Sequence, residues 1–251
     1  MSRLRPGLRL LGIGATWLLT AQALLAQSVS PPIAEYQERA RSSFQLQNAS
    51  IFPITVVLEV RGFTITDNGE VVDVPLDTSR IRIKLSEMSF RLPPRGTHTV
   101  FYDATSDSLP TWFNILSAMT GARTPTGLNV RILLPHVVYL NQKQPLRKEE
   151  VAIRKFGYDP AARKAWVQLE NLGAHLGRVQ QLTISDGRNP SQTAGGFPLL
   201  PHRLRRAMVS WDAATAPTRL SLRFSRFTID TTLTPVLASL AADSAAGTPR
   251  P

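Results

Sequence analysis

Four histidines, His98, His136, His175 and His202, are the side chains best fitted to move protons or bind a metal, and they lie far apart in sequence. General base catalysis needs such a group held against a nucleophile, and a zinc site needs several converging ligands. After residue 26 there is no H-E-x-x-H pair, no G-x-S-x-G turn and no phosphate-cradling glycine loop. The chain has no cysteine, which excludes catalytic thiols and thiolate metal sites. These residues point away from an enzyme, and no cofactor or metal is expected. Arg203, Arg205 and Arg206 form the densest basic cluster and read as a solvated loop. Asn48-Ala49-Ser50 matches a glycosylation sequon, but beside a strand it reads as turn chemistry.

Non-covalent chemistry is better represented. In Thr126 to Pro135 (TGLNVRILLP), Leu128, Val130, Ile132 and Leu134 fall on one face of an extended strand, with Gly127, Asn129, Arg131 and Leu133 opposite. Such a face either packs on the protein's own sheet or inserts into a partner that lacks a strand. The residues alone leave both readings open.

The elements around this segment are strands in an exported chain. Arg3, Arg5 and Arg9 precede an apolar stretch from Leu10 to Leu19, and the segment ends in AQALLA at Ala26. That order is a secretory signal peptide, expected over 1–26. Its apolar core is shorter than the roughly 20 residues of a membrane span, so the mature chain is expected in the periplasm without stable membrane insertion. Three of the eleven excess positive charges belong to those leader arginines. Residues 27–145 carry 11 basic and 10 acidic groups, and residues 146–235 carry 14 and 7, so the excess lies in the second half. Export makes nucleic acid an unsuitable partner for that basic surface.

From Ser43 onward, short alternating runs are separated by Gly/Pro turns, the pattern of an all-β sandwich or barrel. Asp67-Asn68-Gly69-Glu70 joins Phe63–Thr66 to Val71–Val74 as a hairpin. Asn141 to Glu150 (NQKQPLRKEE) reads as a linker, so the expected domains are 27–143 and 144–235, followed by a disordered tail over 236–251. Gln45-Leu46-Gln47-Asn48 resembles Gln168-Leu169-Glu170-Asn171, as either two related sandwiches or chance would explain.

Ser28 to Pro32 (SVSPP), Ser43 to Ser50 (SFQLQNAS), Pro53 before a β-branched strand, and Phe90 to Val100 (FRLPPRGTHTV) before a long apolar strand form an ordered set. In this order the chain resembles the PapD-like periplasmic pilus (fimbrial) chaperones. The resemblance implies two immunoglobulin-like β-sandwich domains set at an angle with a cleft between them. It implies partners too: a pilin-like subunit completed by the last strand of the first domain, and an outer-membrane usher that receives it. The donor residues would be Leu128, Val130, Ile132 and Leu134. The family's cleft cations, which hold the subunit's terminal carboxylate, would fall at Ile33 and at Pro135 or His136, with Arg131 nearby. None of the first three is a permanent cation. A non-chaperone structural or adaptor protein of the same fold at the cell envelope is the alternative.

Overall fold

The computed structural model describes residues 27–123, 129–188, 192–213 and 215–237. The leader, Leu128 and the chain beyond 237 lie outside the described residues. The first ten strands are Ser28–Ser30 (β1), Ile33–Gln37 (β2), Arg39–Gln47 (β3), Ile54–Ile65 (β4), Val71–Val74 (β5), Ile81–Leu85 (β6), Ser89–Leu92 (β7), Thr97–Ser106 (β8), Thr111–Arg123 (β9) and Asn129–Asn141 (β10). They form two sheets, one ordered β1-β3-β8-β6 and the other β2-β10-β9-β4-β5, with β7 also on β4. Alternate residues of both sheets, including Phe44, Leu46, Val56, Val100, Ile115 and Leu140, meet in one core. That alternation is the physical reason the longer segments are strands: β3, β4 and β8 bury about every second side chain over most of their length and leave the others to solvent, whereas the short β5 is exposed throughout.

After the linker come Val151–Asp159 (β11), Lys164–Asn171 (β12), Gly177–Val179 (β13), Gln181–Ser185 (β14), Gln192–Ala194 (β15), Phe197–Leu199 (β16), Leu204–Ser210 (β17), Arg219–Arg223 (β18), Thr228–Thr232 (β19) and Val236–Leu237 (β20). Sheets β17-β12-β11-β20 and β15-β14-β18-β19 enclose a second core around Val167, Leu169, Leu182, Leu222 and Trp211, and β13 pairs with β16. The chain is thus two immunoglobulin-like sandwiches. Val236 and Leu237, assigned to the tail from sequence, instead pair in parallel with Gly157 and Tyr158.

Two expectations meet different outcomes. The hairpin forms as anticipated, Gly62–Ile65 against Val71–Val74, but β4 runs unbroken through Gly62. A Cβ there would stand 3.1 Å from both the Pro75 carbonyl oxygen and Val74, so glycine permits a close approach rather than ending the strand. Arg205 and Arg206 are not in a solvated loop. They belong to β17, with their guanidiniums over Phe197 and Trp166 at 4.9 and 4.7 Å.

The repeated Gln-Leu-x-Asn corner is one device used twice. Asn48, the residue after β3, and Asn171, the last residue of β12, are fully buried. Asn48 Oδ1 accepts the Ser50 N–H at 3.0 Å, and its Nδ2 donates to Phe52 O at 2.8 Å and Pro93 O at 2.9 Å. Asn171 Oδ1 accepts the Gly173 N–H at 3.0 Å, and its Nδ2 donates to His175 O at 2.7 Å and Leu199 O at 3.1 Å. Each amide caps a turn and ties it to a distant strand, and Asn48 is too buried to accept a glycan in the folded chain. Truncating either to alanine orphans buried backbone groups, each worth about 1–3 kcal/mol. Asn48→Ala and Asn171→Ala are each expected to lower stability in urea titrations by about 2 kcal/mol. A loss below about 0.5 kcal/mol for either would show that the corner does not carry that load.

Candidate functional site

β10 is covered unequally on its two edges. One edge pairs with β9 from Asn129 to Leu140. The other pairs with β2 only from Val137 to Asn141. Among the described residues no strand lies on that edge from 129 to 136, a length of about 26 Å at 3.3 Å per residue. The cause is a change of sheet near the N-terminus. Ser28–Ser30 pairs with β3 in one sheet, Ile33–Gln37 joins β10 in the other, and Pro31-Pro32 between them have no N–H to give to either ladder.

The Val137 N–H donates to the Pro32 carbonyl at 2.9 Å, which fixes the direction of alternate backbone groups. Leu133 N–H and C=O, and the Pro135 C=O, therefore point to the open edge. The donor that Pro135 lacks would have faced the same way, so the proline leaves the β9 ladder intact. At the far end the register slips between Val130 and Ile132, where β9 fits an extra residue at Gly121, whose φ is +90°. A positive-φ glycine is what a bulge of this kind requires.

Side chains divide by face. Ile132 and Leu134 turn inward and pack against the first core, while Val130, nearer the open end, is 38% exposed. The structure thus places Val130, Ile132 and Leu134 on one face, half covered by their own sandwich; the fourth donor candidate, Leu128, lies outside the described residues. Arg131, Leu133 and Pro135 are exposed on the opposite face. Ile33 is 45% exposed beside Val137.

His136 does not face a cleft. It is fully buried inside the first sandwich, stacked on Phe44 at 4.6 Å between centroids. Its Nδ1 lies 2.7 Å from the Pro31 carbonyl and its Nε2 3.0 Å from the Tyr102 hydroxyl, which in turn meets the Tyr36 hydroxyl at 2.9 Å. A carbonyl can only accept, so Nδ1 carries the proton, Nε2 accepts from Tyr102, and Tyr36 donates to Tyr102. This chain holds the start of β2 against β10. Burial pushes the His136 pKa down, opposed by its bond to Pro31, and burial pushes the Tyr102 pKa up. The other histidines have separate surroundings: His98 lies 2.5 Å from Glu87, and His175 lies 3.0 Å from Glu150. Among the described residues no group of three or more His, Asp or Glu converges as a metal site.

The outward face of the β10 sheet is also where the second domain docks. Phe63, Ile65 and Tyr139 cluster with Leu176 and Leu200, and Val137 and Trp112 pack against them. The Arg178 guanidinium lies 5.0 Å over the Tyr139 ring and pairs with Glu35 on β2. The tip of the β4–β5 hairpin adds a bond from the Arg206 N–H to the Asp67 carbonyl at 2.6 Å. A cavity of about 230 Å³ remains between the domains, lined by Glu35, Gln142, Arg178 and Gln180 among others. Arg178 and Glu35 are 143 residues apart, and no local pattern marks them as partners.

No family model matches the chain, and no curated protein matches it by sequence. Solved structures do. The class 5 fimbriae chaperone CfaA aligns with a TM-score of 0.50 at 9% identity, over 84% of this chain and 100% of that one. The Salmonella enterica complex of the SafA pilin with the SafB chaperone contains a chain that aligns with a TM-score of 0.52 at 13% identity, over 85% of this chain and 99% of that one. The likeness spans both sandwiches, so the chain has the two-domain fold of the fimbrial chaperones. The resemblance read from the sequence is matched at the level of fold.

The buried histidine sets a pH dependence. Its folded pKa lies below the unfolded value of about 6.5, so the unfolded chain takes up the proton first and stability falls as pH drops below about 6.5. Urea midpoints of the wild type are expected to fall between pH 7.5 and 5 more steeply than those of His136→Gln, which keeps a donor but does not titrate. Parallel slopes would show that His136 is not the titrating group.

Proposed function

We propose that the chain is a periplasmic chaperone that binds incomplete pilin-like subunits by strand addition and delivers them to an outer-membrane usher. The observation that supports this most directly is the open edge of β10 from 129 to 136. An immunoglobulin-like subunit lacking a strand exposes unpaired backbone groups beside an apolar groove, and both favour aggregation. A strand lent from β10 supplies the missing hydrogen bonds, with Leu128, Val130, Ile132 and Leu134 presented along the groove. The protein acts by binding and performs no covalent step.

Ile33 and Pro135, apolar where the resemblance implies cleft cations, favour a second reading: an envelope adaptor of the same fold that completes no subunit. A periplasmic pull-down of tagged protein separates the two. Ile132 and Leu134 also serve the chain's own core, so the informative substitutions are Leu128→Asp with Val130→Asp, in protein that retains its circular dichroism. Wild type is expected to recover a small pilin-like protein, to lose at least tenfold of it in the variant, and to show slowed amide exchange over 129–136 in the complex. If a co-expressed candidate subunit binds neither protein, the adaptor reading replaces the chaperone.

A further inference from the structure

The outward face of β10 carries an apolar strip that the chain's own fold does not cover. Leu133, Ala118 and Val57 stand in register across β10, β9 and β4. Leu133 and Val57 are 54% and 49% exposed. From Leu133 the strip continues through exposed Pro135 and half-buried Val137 to Ile33 at the start of β2. Beyond Val137 it merges with the apolar cluster on which the second domain docks. An exposed apolar surface continuous with a packed interface and lying along an open strand edge is suited to an added strand.

Two of the cations on this face are already paired. Arg61, in register with Asn114 and Val137, is bound to Glu59 at 2.7 Å. Arg178, next along the same face over Tyr139, is bound to Glu35. Arg131 stands two residues beyond Leu133, at the end away from the second domain.

We infer that this strip seats apolar side chains of the segment added to β10, so that the segment is apolar on both faces where it nears Ile33 and its end is held by apolar contact, not by its charge. This rests on the strand-addition reading. An added strand continues the sheet in line with β2. Its inward side chains lie beside Ile132 and Leu134 over the end of the core, and its outward side chains lie beside Leu133, Pro135 and Ile33. Cross-strand neighbours on one face favour side chains of like character, so a strand flanked by apolar rows on both faces favours an unbroken apolar run, whereas one with a polar outward row alternates. The preferred partner segment is therefore a run of Val, Ile and Leu.

Two synthetic eight-residue peptides test this, each with a polyethylene-glycol tag at its N-terminus. One is an apolar run of Val, Ile and Leu, and the other alternates Val with Thr. Each is made with a free carboxylate and as the amide, and titrated into ¹⁵N-labelled protein at 50 and 500 mM NaCl. The apolar run is expected to bind at least tenfold more tightly than the alternating peptide, with shifts at the amides of residues 129–134 and 136. Amidation or salt should change its affinity less than twofold, because apolar contact is not screened. Leu133→Ser combined with Val57→Ser should narrow the preference to under threefold. Both positions are half exposed, and an unperturbed spectrum of the second domain reports that the variant folds. Equal binding of the two peptides overturns the inference, as does a tenfold loss on amidation, in high salt or in Arg131→Ala. If neither peptide shifts residues 129–136, strand addition itself fails and the inference falls with it.

Discussion

Everything proposed for this molecule depends on how little of β10 its own chain covers. The N-terminal segment has two places to go, and it uses both: three residues extend one sheet and five extend the other, with two prolines at the crossing. Had the whole segment joined β10 in the register of β2, it would reach back to Ile132 and leave only 129–131 open. Had it all stayed on β3, β10 would be loose at its C-terminal half and the domain junction would lose Glu35. The sheet change therefore creates the open edge and the anchored end of the same strand. His136 ties them together: its bond to the Pro31 carbonyl is made at the crossing itself, from a position inside the core.

The junction between domains is specified by polar contacts at least as much as by area. Arg178 lies over Tyr139 and pairs with Glu35 across the junction, while Arg205 stands behind it within the second domain, over Phe197 and donating to Pro198 O at 3.1 Å. Burial pushes the Arg205 pKa down, Tyr139 opposes that, and the neighbouring Arg178 adds to it, so its charge is held there at a cost. Such pairs add little net stability compared with apolar substitutes, but removing one partner leaves the other desolvated and alone. Their use is orientation. They hold the second domain at one end of the β10 face and leave the rows of Pro135 and Leu133 open beyond it.

The sequence was legible where structure is local. Strand patterns marked β3, β6, β8 and β12, and the Asn-Gly turn marked the β4–β5 hairpin, whereas the repeated Gln-Leu-x-Asn, as readily chance in the sequence, proves to be the same corner in both sandwiches only through its hydrogen bonds. It was opaque where partners are distant. β1 and β2 are short, polar and split by prolines, and β2 pairs in parallel with a strand a hundred residues away, so nothing in residues 28–37 announces a sheet. β13 and β16, three residues each, are too short to show a period. The site was half legible for the same reason. The alternating face of 128–134 is written in one segment, but the open edge beside it follows from where β2 stops. His136 was read for its chemistry and a place near the cleft, whereas the inward parity of β10 carries it into the core beside Phe44 and Tyr102.

Burying Ile132 and Leu134 in the chain's own core is not in conflict with lending the same strand to a partner. A free, flexible segment would have to be ordered on binding, at roughly 1–2 kcal/mol per residue of backbone. β10 is instead held by β9 along one edge and clamped at 137–141 by β2, with the one register shift fixed at the Gly121 bulge of β9. Most of that entropy is lost when the chain folds, so an added strand meets a rigid template, the condition under which buried area converts most fully into affinity. The cost is an exposed, pre-ordered edge in the free protein, and Pro135 limits it. With no N–H to offer near the β2 end of that edge, it removes one hydrogen bond from any strand that pairs there. Selectivity then rests more heavily on the side chains at either side of the edge, inward at Val130 to Leu134 and outward at Leu133 and Ile33.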